Sequence, residues 1–93
     1  MVNKMAGIWV FVGSNAKFPS GIFSEKEYAQ DWIKKYNLSG VLTLYPLDQG
    51  IYDWAINNNT FSVKKESEMT PEFIQRFTSA AQEHYHFENG ELD

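Results

Sequence analysis

Cysteine is absent from the 93-residue chain, which removes disulfides, thiolate nucleophiles and thiolate metal sites together. Basic residues are outnumbered, eight Lys and Arg against twelve Asp and Glu, for a formal charge of −4 and a pI near 5.0. Basic residues cluster only as the Lys34-Lys35 and Lys64-Lys65 doublets. A nucleic-acid binder needs a positive stripe to displace counterions from phosphates, so nucleic acid is not an expected partner. Long apolar runs are missing too. The longest, Ile8 to Val12, has five residues, whereas a membrane span needs about 20. Met1 to Ala6 is too short and too polar for the apolar region of a signal peptide, so the expected location is the cytoplasm. Gly13, Gly21, Gly40 and Gly50 fit neither the dinucleotide fingerprint nor a P-loop, and no phosphate-cradling loop is expected.

What the chain has is apolar bulk. Hydrophobic residues make up 43% and aromatic residues 16%, enough to build a core and too much for a disordered chain. The length predicts one domain over residues 1–93, with its core between about 7 and 88.

Gly7 to Val12 is rich in β-branched and aromatic residues and apolar on both faces, which predicts a central strand. Ser14 to Ser20 is turn-like, and Gly21-Ile22-Phe23 is a short extended piece leading into a helix. Ser24-Glu25-Lys26-Glu27 fits a capping box, with Phe23 and Tyr28 placed for a hydrophobic staple. Tyr28, Trp32, Ile33 and Tyr36 form one stripe of a helix over Glu25 to Tyr36, ended by Asn37 in the left-handed conformation. Val41 to Tyr45 predicts a second inner strand, stopped by Pro46. Ile51 to Ile56 and Thr60 to Val63, flanking Asn57-Asn58-Asn59, predict a β-hairpin. Thr70 and Pro71 are the cap and first position of a second helix, with a buried stripe of Phe73, Ile74, Phe77, Ala80 and Ala81. The acidic segment from Glu83 alternates aromatics at Tyr85 and Phe87 and turns at Asn89-Gly90. The expected fold is α+β: about four strands, mainly antiparallel, with two helices packed on the sheet in the order β–α–β–β–α. The helical connection between the first two strands also allows a mixed sheet.

The catalytic inventory is thin. His84-Tyr85-His86, if extended, puts both imidazoles on one face about 7 Å apart. With Glu83 or Glu88 they offer two or three ligands to a divalent metal. The plainer role is to hydrogen-bond or face water while Tyr85 and Phe87 pack. Ser14, Ser20 or Ser79 could be combined with a histidine and Asp53, but no Gly-x-Ser-x-Gly elbow supports such a triad. Asp48 is explained by turn hydrogen bonding. Asp53, between Tyr52 and Trp54 in an expected strand, either faces solvent on an edge or is buried with a specific donor. No catalytic residue, cofactor or metal is therefore assigned. Rings beside acids suit a protein-binding surface, and Asp48, Tyr52, Asp53, Trp54, Glu83, His84, His86 and Glu88 are its expected members.

Trp9-Val10-Phe11, Phe18-Pro19-Ser20-Gly21-Ile22-Phe23, Trp32-Ile33, the run Leu38 to Pro46 and Tyr52-Asp53-Trp54-Ala55 together form a pattern. Thr70-Pro71-Glu72-Phe73-Ile74, Phe77 and Gln82-Glu83-His84-Tyr85-His86 complete it. The pattern resembles a family of small, largely uncharacterised bacterial domains over roughly Gly7 to Gly90. That resemblance carries no activity over to any position. By size, charge and lack of cysteine the chain is also similar to immunity proteins of contact-dependent inhibition and polymorphic toxin systems. The expected function is accordingly non-enzymatic binding of a protein partner, such as a cognate toxin domain, by a monomer or weak homodimer. Two alternatives are a small metal-dependent or small-molecule-binding enzyme using His84 and His86, and a housekeeping domain that self-associates through an exposed strand at Ile51 to Val63.

Overall fold

Gly7–Gly13 forms strand β1, with Trp9, Val10 and Phe11 buried at its centre. The structure, a computed structural model, describes residues 7–93; Met1 to Ala6, expected to be no leader, lies outside the described residues. The chain gathers into two compact units, one of residues up to Leu47 together with Gln82–Asp93, the other Asp48–Ala81.

In the first unit, β1 is followed by β2 (Gly21–Phe23), helix α1 (Lys26–Lys35), β3 (Gly40–Pro46), β4 (His84–Glu88) and β5 (Glu91–Leu92). They form one five-stranded sheet in the order β2-β1-β3-β4-β5. Every pairing is antiparallel. The sheet is therefore not mixed, and the helical connection does not make β1 and β3 parallel. The reason is the short piece at Gly21–Phe23. It is itself a strand, it reverses the chain beside β1, and α1 then carries the chain across to the other side of β1. β2 and β3 thus run the same way with β1 between them.

Side chains on a strand alternate between faces. Trp9 and Phe11 share one face with Leu42 and Phe87, and α1 covers that face with Ala29 and Ile33. Phe11, Ile33 and Leu42 are the largest fully buried side chains, each contributing about 1.5–3 kcal/mol by leaving water. Phe23, Trp32, Leu38, Leu44 and Tyr85 pack around this core.

The start of α1 differs from expectation. Glu25, not Ser24, is the cap residue, and no side chain caps the helix. Tyr28 is 62% exposed rather than stapled. The end matches it: Asn37 has φ 56°, its N–H donates to the Lys34 carbonyl and the Leu38 N–H donates to Ile33. This pair of bonds satisfies carbonyls the last turn would leave bare.

The second unit replaces the expected hairpin. Ile51–Asn57 is helix α2, followed by a 3₁₀ turn at Glu66–Met69 and helix α3 at Pro71–Gln75. Asn59 has φ 60°, and its N–H and that of Thr60 donate to Ile56 and Ala55, the same closure that ends α1. The asparagines hold a helix end, not a strand turn. With no strand at Ile51 to Val63, edge-to-edge association through that segment loses its basis. The unit is organised by four rings: Tyr52, Phe61, Phe73 and Phe77 touch in all six pairs, with centroids 4.8–6.3 Å apart. The Tyr52 hydroxyl donates to the Glu68 carbonyl at 2.8 Å, so the polar tip of a half-buried ring is satisfied.

The cap at Thr70 is present, its Oγ1 accepting from the Phe73 N–H at 3.2 Å with Pro71 at the first helical position. The helix ends at Gln75, so Phe77 joins the ring cluster from beyond it and Ala80 and Ala81 lie outside any helix. Thr70→Ala should destabilise the protein by about 1 kcal/mol, read as a lower urea midpoint with unchanged slope. The result is an α+β fold with five strands and three α-helices among the described residues, against the four and two expected.

Candidate functional site

β4 brings four of the expected site residues to one segment. Its pairing with β3 sets Thr43 opposite His84, Leu42 opposite Tyr85 and Val41 opposite His86. Alternation then divides the four residues. Tyr85 and Phe87 point to the face covered by α1, and Glu83 is drawn to Tyr85, whose hydroxyl donates to Glu83 Oε2 at 2.6 Å. The ammonium of Lys26 lies 3.9 Å from the Tyr85 ring centroid, and Trp9 packs against the same ring at 6.0 Å. His84, His86 and Glu88 belong to the opposite face.

The two imidazoles are in contact, with centroids 5.4 Å apart and planes at 80°. His84 Nδ1 is 2.7 Å from the Gln82 carbonyl oxygen. A carbonyl oxygen only accepts, so Nδ1 carries the proton, and in the neutral ring the Nε2 lone pair is left over. Gln82 is itself buried, its side-chain amide donating to the Leu44 carbonyl at 3.2 Å. His84 is half-buried and His86 exposed. Among the described residues, no group of three or more His, Asp or Glu could together hold a metal ion.

The other four expected residues lie in the second unit. Asp48 is exposed in a turn at φ 59°. Asp53 is not in a strand; it stands exposed in the first turn of α2, where a carboxylate favours the positive end of the helix dipole. Tyr52 is committed to the ring cluster, and Trp54 is half-buried beside it in sequence. A shallow depression of about 670 Å³ lies in this unit, bounded by Ile56, Phe61, Lys64 and Glu68 among others. None of the expected site residues lines it.

Sequence reasoning missed Lys26 and Gln82, which fix Tyr85 and His84, and the partners of Tyr52. Lys26 and Tyr85 lie far apart in the chain, so no local pattern marks that contact, whereas Gln82 is only two residues from His84 and acts there through a backbone carbonyl, which has no side-chain signature. Phe18 stands out in the structure as 77% exposed, with Ile22 at 58% and Tyr36 at 56%.

No helix among the described residues is long and apolar enough to cross a membrane. No curated protein and no solved structure matches the chain. A family described as a domain of unknown function, DUF7710, matches residues 8–93, from within β1 to the last residue, and the chain belongs to that family.

Proposed function

We propose that the chain is a non-enzymatic protein-binding domain, most concretely an immunity protein that neutralises a bacterial toxin domain in the cytoplasm through an acidic and aromatic surface. The observation that supports this reading is the state of the carboxylates. Eleven of the twelve acidic side chains are exposed, Glu68 being the exception. Among the described residues a single ion pair occurs, Lys34 with Glu91 at 3.7 Å. Two such exposed groups stabilise each other little, so the negative field of the remaining acids is directed outward. Asp48, Asp53 and Glu88 belong to that field. Exposed rings such as Phe18 and Tyr36 would supply the apolar anchors, and the field would speed capture of a basic partner.

The test is association with the product of the gene adjacent in the native genome, followed by stopped-flow at two ionic strengths. The association rate should fall steeply with salt, and Asp48→Lys with Asp53→Lys should slow it about tenfold while leaving dissociation nearly unchanged. A neighbouring product that neither binds the chain nor is neutralised by it in cells would sink the proposal.

A further inference from the structure

We propose that His84 and His86 form a two-imidazole chelate for a borderline transition-metal ion such as Zn2+, Ni2+ or Cu2+. The geometry carries the argument. Two imidazoles that share one tetrahedral ion, each nitrogen about 2.1 Å from it, have ring centres roughly 5 Å apart. The rings of His84 and His86 are 5.4 Å apart, so little movement is needed to close on an ion. The strand supplies this spacing, since residues two apart share a face, and pairing with β3 holds that face in register.

The bond from His84 Nδ1 to the Gln82 carbonyl at 2.7 Å adds a second, independent observation. Metal-bound imidazoles are oriented in this way, the second ring nitrogen donating to a carbonyl or carboxylate so that the first keeps its lone pair outward. Gln82 is buried and tied to β3, so the orienting carbonyl is fixed. Two nitrogen donors select against Mg2+ and Ca2+, which require oxygen ligands. With no third donor in the group among the described residues, the remaining positions fall to water, an anion or a donor from a second molecule. The proposal rests on the segment Gln82–His86 and its pairing with β3 and stands or falls separately from the protein-binding reading.

The experiment is calorimetric titration of the untagged protein with Zn2+, Ni2+ and Cu2+, with Mg2+ as control, alongside NMR of the imidazole protons during the Zn2+ titration. The expected result is one ion per chain or per two chains, tightest for Cu2+, and no heat with Mg2+. His84→Gln and His86→Gln should each weaken binding at least tenfold, while Glu72→Gln, at an exposed position in α3, leaves it unchanged. Zn2+ should raise the melting temperature of the wild type but not of the double variant. The NMR readout needs no variant: Zn2+ should shift the resonances of both rings together. Absence of binding by all three ions at millimolar concentration, or binding that leaves these two rings unperturbed, would overturn the proposal.

Discussion

Replacing Phe11 with alanine should remove about 4 kcal/mol of stability, the cost of deleting a large core ring and leaving a cavity. Phe11 is 1% exposed at the centre of β1, where it meets Trp32 of α1 edge-on at 6.0 Å and faces Leu42 across the β1–β3 pairing. It therefore touches both layers of the first unit, and neither can collapse inward without parting from the other. A chain of 93 residues has only roughly 5–14 kcal/mol to lose. The variant should melt about 20 °C lower, at about 5 °C per kcal/mol for a chain of this size. A shift of only a few degrees would mean that the α1-covered face is not the principal core.

Gly40→Ala should be nearly as damaging, at about 3 kcal/mol, for a different reason. A Cβ there would lie 2.4 Å from the Val12 carbonyl oxygen and 2.8 Å from the Gly13 Cα. Both are backbone atoms of β1, paired with β3 through Gly13 opposite Gly40. A flexible side chain could swing aside; two strands joined by a hydrogen-bonded ladder must separate instead. Gly50 provides the control, since a Cβ there meets nothing closer than Asp53 Oδ2 at 3.6 Å. Urea unfolding should show a large drop in midpoint for Gly40→Ala and almost none for Gly50→Ala. Equal tolerance at both positions would contradict the close approach of β1 and β3.

The elements that sequence pattern located are those whose local pattern is strong. β1 and β3 are long and β-branched, and α1 has a stripe at helical spacing and an asparagine stop. Ile51 to Ile56 reads as a hairpin strand, but a short segment with five apolar residues of six also satisfies the helical period. Tyr52, Ala55 and Ile56 fall three and four apart, as a helix face requires. The asparagine signal was sound for φ, as Asn59 shows, but it marks helix ends as readily as hairpins. β2 and β5 have three and two residues and are strands because a neighbour pairs with them, a property no local propensity contains. The candidate site follows the same division. The shared face of His84 and His86 is legible from their spacing, whereas Asp53, open by sequence to an exposed or a buried role, is placed as exposed only by its position in the first turn of α2. The commitment of Tyr52 to three phenylalanines is not legible, because those partners are set by tertiary packing.

The pairing of β3 with β4 has a further consequence. The two strands lie side by side although the whole of Asp48–Ala81 is strung between them. The entropy of closing such an excursion rises only with the logarithm of its length. Kin with shorter or longer inserts at this seam would keep the same sheet, so variation in chain length should concentrate between Leu47 and Gln82 while the ladder on either side stays constant.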